Sequence, residues 1–387
     1  MRPLTDTRPK PLLPVGEKAL VENVMDACAP YVDGFVLVVG YMSEEVRCTV
    51  GEEHAGADVE YVEQEEQAGT ADAVAQVANR VGPRFVVANG DAVFSSSVVG
   101  RLVEVDGNAL SVKHVPEPSE YGVVEVEGGC ATCIVEKPDD PPTSLANAGV
   151  YLFDRDALDY MRSTKRTERG EREITAAIAE MMSDGYEYGV VEHDGEWLDV
   201  GYPWNLLEAN RLVLGDAERR LEGDVEDGAT VKGGVAVEEG ARILSGAYLE
   251  GPAVVREGAT VGPNAYVRGP AVVGAGAKVG HAVEVKNSVL MRGTSVGHLS
   301  YVGDSVLGEG VNFGAGTVVA NLRHDGENVR ARVKGATIDT ERRKFGVAVG
   351  DGAKTGVNTS LNAGTRLGVG ATTTPGETVK LDKGVDG

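Results

Sequence analysis

Between Tyr248 and Val279 the chain reads Tyr248-Leu-Glu-Gly-Pro-Ala-Val-Val255-Arg-Glu-Gly-Ala-Thr-Val261-Gly-Pro-Asn-Ala-Tyr-Val267-Arg-Gly-Pro-Ala-Val-Val273-Gly-Ala-Gly-Ala-Lys-Val279. An aliphatic residue stands at every sixth position: Leu249, Val255, Val261, Val267, Val273 and Val279. Toward the N-terminus the series continues through Ile243, Val237, Val231 and Val225; toward the C-terminus it reaches Val285 and Met291. The phase then slips near Val296 and Val302, and it returns at Val349, Leu361, Leu367 and Val379, with Thr355 and Thr373 in step.

Six is a multiple of the strand period of two, so these residues fall on one side of successive short strands. Six does not fit a period of 3.6, and a helix would scatter them around its circumference. The pattern therefore predicts a parallel β-helix, each short strand turning a corner at a small residue and stacking its aliphatic side chain into one interior. This domain runs from residue 222 to the end of the sequence at 387.

Upstream the grammar changes. Apolar runs at Phe35-Val-Leu-Val-Val39, Phe85-Val-Val-Ala88 and Gly149-Val-Tyr-Leu-Phe153 read as buried strands. Helical patterns at 71–80 and 173–182 lie between them. Such alternation predicts an α/β domain with a largely parallel sheet over residues 1–221. Residues 203–221 read as a helix joining the halves.

The 387 residues carry 37 basic and 60 acidic side chains, a formal charge of −23. That balance excludes a general nucleic-acid binder, which needs clustered cations to neutralise phosphates. A surface so acidic suits a halophilic, high-salt cytoplasm, where screening relieves its self-repulsion. No apolar run approaches the roughly 20 residues that cross a bilayer. The proline-rich start has no signal-peptide core, so a cytoplasmic protein with no membrane partner is expected. Four cysteines are too few for a disulfide scaffold, and a single Cys130-x-x-Cys133 pair is a weak metal signal.

Motifs then add chemistry. Arg2-Pro-Leu-Thr-Asp-Thr-Arg-Pro-Lys10-Pro-Leu-Leu-Pro-Val15 resembles the start of sugar-1-phosphate nucleotidyltransferases. Further matches follow in family order: Gln64 to Thr70, Asn89-Gly-Asp91, Tyr121-Gly122, Val135-Glu136, Asn147-Ala-Gly149 and Trp197-Leu-Asp199-Val-Gly201. The resemblance implies a Rossmann-like domain in which a sugar-1-phosphate attacks the α-phosphorus of a nucleoside triphosphate. It implies that Asp91 and Asp199 hold magnesium (Mg2+) and that Lys10 reaches the phosphates. Gln64, Gly69 and Thr70 would face the base, and Gly122, Glu136 and Asn147 the sugar. In that family a strand and a Gly-rich loop precede the Arg-Pro-Leu-Thr motif, and this sequence begins downstream of them. The expectation is a start ~15 to 25 residues further upstream, the length of a strand plus a tight loop; the alternative is a nucleotidyl site that truly lacks this loop.

His298, one of six histidines, lies where the hexad slips, and local breaks in regularity mark functional positions. The region resembles the acetyltransferase domain of bifunctional N-acetylglucosamine-1-phosphate uridylyltransferase/glucosamine-1-phosphate acetyltransferases. Tyr266-Val-Arg268, Val283-Glu-Val-Lys286, Gly297-His298, Tyr301-Val-Gly-Asp304, Val311-Asn312-Phe-Gly-Ala-Gly316 and Ala320-Asn321 carry it. The resemblance implies a left-handed β-helix, a homotrimer and acetyl-CoA as cosubstrate. His298 would be the base, Arg268 and Lys286 would hold the sugar phosphate, and Tyr301, Asn312 and Asn321 would position the substrate. The basic segment 322–344 invites an anionic ligand, with Arg330 and Lys344 as candidate acetyl-CoA contacts. Two alternatives compete with this bifunctional reading: a glucose-1-phosphate uridylyl- or thymidylyltransferase whose β-helix only assembles the oligomer, and a truncated regulatory subunit without turnover.

Overall fold

The computed structural model describes residues 1–215 and 217–385. Asp216, inside the helix expected over 203–221, lies outside the described residues, as do Asp386 and Gly387 at the end of the expected second domain. Two compact units emerge: Met1–Ala19 with Val200–Gly387, and Leu20–Asp199. The expected boundary near residue 222 does not coincide with this division. The reason lies in the first nineteen residues, which bond to the β-helix and to the helix before it. The Thr7 hydroxyl donates to Asp351 at 2.6 Å, and the Arg8 guanidinium pairs with both Asp351 and Glu309. The Gly16 amide donates to the Asn210 side chain at 2.8 Å. That helix is Pro203–Leu214, shorter than expected because Arg220–Leu221 already forms the first strand of the solenoid. Its start is fixed by a proline in the first turn and by the Tyr202 amide donating to Asn205.

Three sheets of eight, seven and eight short strands, parallel throughout, are the faces of a left-handed β-helix. In the regular turns a strand pairs with the one 18 residues on, as Val255 does with Val273 and Val261 with Val279. Three hexads thus make one turn. One side chain per strand, almost always aliphatic, points inward, and the resulting ladders are buried beyond the first turn, where Val225 and Val231 are only partly buried.

The slip has a specific form. Val273 pairs with Leu290, Val279 with Val296 and Val285 with Val302, each 17 residues apart. One residue is therefore lost between Val285 and Leu290, and Leu290 rather than Met291 continues the inward ladder. A second is lost between Val302 and Leu307, since Leu290 pairs with Leu307 while Val285 still meets Val302. Both losses fall on the same corner of successive turns. Where the regular turn has Gly269-Pro270 after Arg268, the next has only Asn287 after Lys286, and the next only Asp304 after Gly303. A single residue must then reverse the chain direction, in the left-handed region at φ 44° and 52°. Asn and Asp are the non-glycine residues that adopt it most readily.

One turn is expanded instead. Val306 pairs with Ala348, 42 positions on. The excess is an excursion between Leu322 and Lys344, which bridge each other, and it holds a hairpin of Arg330–Val333 with Ala336–Asp339.

The other unit has a six-stranded sheet in the order Arg84–Ala88, Leu145–Asp154, Asn108–His114, Tyr188–Glu192, Cys130–Glu136, Gly122–Glu127. A three-stranded sheet joins Gly34–Val39 to Ala57–Glu63 in parallel. The larger sheet is predominantly antiparallel, which corrects the expectation of a largely parallel one; only Tyr188–Glu192 and Asn108–His114 run together. For one of these pairs connection length is the cause. Gly122–Glu127 reaches Cys130–Glu136 through Gly128-Gly129 alone, and a two-residue hairpin can join only antiparallel strands. The helices expected at 71–80 and 173–182 are Thr70–Ala75 and Ile174–Ser183.

Phe313 is the largest side chain in the inward ladders and is 1% exposed. Phe313→Ala is expected to cost about 3–5 kcal/mol through lost transfer energy and the cavity left behind. Equilibrium unfolding in denaturant measures it, and a change below 1 kcal/mol would contradict the interior described.

Candidate active sites

The two shortened corners gather a cluster on one outer face of the β-helix. Strands Tyr266–Arg268, Glu284–Lys286 and Tyr301–Gly303 lie on successive turns in register. Their middle residues, Val267, Val285 and Val302, are in the core, so the flanking residues face outward. Tyr266, Glu284 and Tyr301 form one outward column; Arg268, Lys286 and Gly303 form the other.

Each cation in the second column has a carboxylate partner. Arg268 donates from Nε and Nη2 to Glu284 Oε1 at 2.9 and 2.7 Å. Lys286 Nζ donates to Asp304 Oδ2 at 2.8 Å. The third position of the column is glycine for reasons of space. A Cβ on Gly303 would lie 2.7 Å from Asn321 Nδ2 and collide with the Tyr301 hydroxyl. The vacancy lets Asn321 reach across the column, donating to Tyr301 Oη at 3.1 Å and to Asp304. Burial, with the negative charges of Asp304 and Glu284, raises the Tyr301 pKa, so this phenol is a neutral donor near neutrality.

His298 lies on the corner leading into Tyr301–Gly303, beside Leu299, and its side chain is exposed. Its carbonyl accepts the Gly316 amide at 2.9 Å, and among the described residues its imidazole has no hydrogen-bond partner. A histidine so placed is open to an incoming substrate. The structure thus brings Arg268, Lys286, Tyr301 and Asn321 together, with His298 on the adjoining corner. Asn312 is not among them; its strand, Asn312–Phe313, belongs to a different face. Arg330 and Lys344 lie on the excursion, both exposed. Arg323 and Arg342 there pair with Asp325 and Glu208, but among the described residues Arg330, Arg332, Lys334, Arg343 and Lys344 have no carboxylate within 4 Å.

Glu284 and Asp304 were not candidates at the outset. Asp304 has a sequence signal nonetheless, since it is the residue at which the hexad loses its second position.

In the unit 20–199, backbone geometry sets the second site. Antiparallel pairing of Trp197–Asp199 with Ala92–Phe94 places Asp199 opposite Ala92, and so brings it beside Asp91. Gly69 has a φ of 129°, and a Cβ there would meet the Arg172 backbone nitrogen at 2.6 Å. The Arg172 strap closes on this glycine, donating to the Ala68 carbonyl and accepting from the Ala71 amide. Thr70 accepts the Ile174 amide at 2.9 Å, and Gln64 donates to the Gly69 carbonyl and to Asp72. Gly122, Glu136 and Asn147 meet, for a Cβ on Gly122 would touch Glu136 Oε2 at 3.0 Å and Asn147 Cβ at 3.5 Å. Burial and the nearby Glu173 raise the Glu136 pKa, while Thr175 and Arg169 oppose the shift. Lys10 belongs to the other unit, in the short turn Lys10–Leu12.

His193, absent from the sequence candidates, packs against Phe94 and Trp197, one on each strand of this pair. It is 2% exposed and both ring nitrogens lack partners. Burial, then the charges of Lys113 and Arg101, push its pKa down to about 4.

Comparison with known proteins divides the chain by sequence, near the end of the helix Pro203–Leu214, and not by the two compact units. Residues 1–215 match the family model described as nucleotidyl transferase, and 249–339 match the GMPPB C-terminal domain. The chain is 36% identical over 369 residues to the bifunctional protein GlmU of Methanocaldococcus jannaschii, covering 95% of this chain and 89% of the relative. It is 36% identical over 392 residues to the bifunctional sugar-1-phosphate nucleotidylyltransferase/acetyltransferase of Sulfurisphaera tokodaii, covering 99% and 95%. Among solved structures, a putative glucose-1-phosphate thymidylyltransferase from Bacillus anthracis in complex with a sucrose matches at TM-score 0.50 and 28% identity, over 55% of this chain and 89% of that one.

Because His193 is neutral when folded and titrates near its free value of ~6.5 when unfolded, the unfolded chain binds the extra proton between those values. Stability from this group is complete above pH 6.5 and is lost as pH falls toward 4, on the order of 3 kcal/mol in all. Urea midpoints of wild type and His193→Phe across pH 4–7 test this. The wild type should lose more stability on acidification, and parallel curves would refute it.

Proposed function

The chain belongs to the bifunctional sugar-1-phosphate nucleotidylyltransferase/acetyltransferases, and from that premise we propose that it makes a UDP-N-acetylhexosamine in two steps. The first is acetyl transfer from acetyl-CoA to the amine of glucosamine-1-phosphate or galactosamine-1-phosphate. The second is nucleotidyl transfer from UTP (or dTTP) to the acetylated sugar-1-phosphate. The observation that carries the first step is the column of Arg268 and Lys286 beside Tyr301 and Asn321, with His298 on the next corner.

In acetyl transfer the amine nitrogen attacks the thioester carbonyl, and the tetrahedral intermediate expels the CoA thiolate. His298 takes the proton the amine must lose and returns it to the thiolate, a role suited to an imidazole, which can both accept and give up a proton at a ring nitrogen. Arg268 and Lys286 hold the sugar phosphate through charge-assisted hydrogen bonds. Asn321 and the neutral Tyr301 hydroxyl orient the sugar. Acetyl-CoA lies along the β-helix, its phosphates met by the excursion that carries Arg330 and Lys344. Asn312 acts from its own face, in a homotrimer where neighbouring β-helices border each site.

In nucleotidyl transfer a sugar-1-phosphate oxygen attacks the α-phosphorus in line and pyrophosphate leaves. Asp91 and Asp199 fit Mg2+, which prefers hard carboxylate oxygens and takes its remaining ligands from phosphates and water. An ion held by these two carboxylates would supply positive charge against the phosphates. Lys10 faces the phosphates, Gln64, Gly69 and Thr70 the base, and Gly122, Glu136 and Asn147 the sugar. No described helix is long and apolar enough to cross a membrane, which accords with a cytoplasmic enzyme.

Thiol release from acetyl-CoA, followed in high salt with each hexosamine-1-phosphate, tests the first step. His298→Ala should slow it by roughly two to four orders of magnitude, the range for loss of a general base. Asp199→Asn should leave it unchanged while abolishing pyrophosphate release from UTP. A folded wild type that releases no thiol would return the β-helix to the role of scaffold.

A further inference from the structure

The acetyl-transfer site as read above rests one of its cations, Lys286, and its amide, Asn321, on one buried carboxylate. Asp304 is 3% exposed. Its Oδ2 accepts from Lys286 Nζ at 2.8 Å and from Asn321 Nδ2, and its Oδ1 accepts from Asn287 Nδ2 at 2.7 Å. The three donors come from different places in the chain: the end of strand Glu284–Lys286, the corner after it, and the start of the excursion. Asn321 passes the constraint on, since the same amide nitrogen donates to Tyr301 Oη.

We propose that Asp304 is a positioning residue for acetyl transfer, fixing Lys286 and the Asn321–Tyr301 pair so that the hexosamine phosphate meets them in one orientation. This rests on the acetyltransferase reading. Three observations carry it. A carboxylate with so little exposure needs strong partners, and all those recorded for its side chain are donors. The corner that holds it is one residue shorter than the regular one, which leaves its side chain as the only one between Gly303 and Ser305. Gly303 leaves open the position above Lys286 through which Asn321 reaches both Asp304 and Tyr301.

Lys286 without this partner would keep its charge and lose its direction. A lysine ammonium is a point charge on a flexible stem, so direction is what its surroundings must supply. Arg268 differs, being 40% exposed and held by Glu284, which is 32% exposed. Asp304 therefore acts on one cation of the pair.

The test is Asp304→Asn, close in size and without charge. Its amide cannot accept from all three donors, and its NH2 faces one of them. Thiol release should show KM for glucosamine-1-phosphate raised about tenfold or more, with KM for acetyl-CoA within twofold of wild type. Calorimetric titration with glucosamine-1-phosphate alone should show the same weakening, and it supplies a reading even if turnover is too slow to follow. In a Lys286→Met background the substitution should add little, because its main target is gone. Thermal unfolding run alongside separates positioning from collapse: a shared rise of both KM values with a lowered Tm would mean a structural role and overturn the proposal. So would an unchanged sugar-phosphate KM, or full additivity with Lys286→Met. A wild-type chain that neither releases thiol nor binds glucosamine-1-phosphate fails the acetyltransferase reading itself, and that result precedes any variant.

Discussion

Parallel stacking in register is the constraint on which the β-helix and its site depend. A turn of three hexads must return each inward side chain over the one below it, because a one-residue slip within a strand would exchange interior for surface. Residues can therefore be lost or gained only at corners. The chain loses one at the same corner of two successive turns and keeps every inward ladder intact. What changes is outside. Asn287 and Asp304 replace a Gly-Pro pair, and a polar network forms where regular turns have none.

The same logic decides what was legible in the sequence. The hexad is a strict local pattern and announced the fold unaided. It drew attention to His298 as lying at the slip, but the lost residues fall at Asn287 and Asp304, and the hexad from Val296 to Val302 that holds His298 is regular. Counting by sixes likewise chose Met291 where Leu290 points inward, since periodicity does not say at which residue the count resets. Arg268, Lys286, Tyr301 and Asn321 were recoverable as family matches. Glu284 and Asp304 lay inside the same matched motifs but drew no role, because their importance is a matter of partners: each carries the hydrogen bonds of a cation one turn away, and no linear spacing reports that.

The α/β unit was legible in a different way. Apolar runs located its strands, yet strand direction depends on how the chain turns between them, and the Gly128-Gly129 hairpin forces an antiparallel neighbour. Its motif glycines sit where a neighbouring backbone or side chain leaves no room for a Cβ. Gly69 is held under the Arg172 strap, Gly122 faces Glu136 and Asn147, and Gly149 lies against Asn89. A glycine in sequence is silent about which of these duties it performs. His193 escaped notice for a related reason: its environment is wholly tertiary, two aromatic rings from paired strands and no polar partner.

The excursion between Leu322 and Lys344 shows what such a solenoid permits. The stack resumes at Ala348 in the register that Val306 left, and lengthening a loop costs only about 0.6 kcal/mol per doubling. The excursion is nonetheless seated on the scaffold: Val329, Ala331 and Thr340 are buried, and Arg342 pairs with Glu208 on the helix before the solenoid. Selection can thus vary the outward cations of this appendage freely, while its seated residues must change together with the surface beneath them.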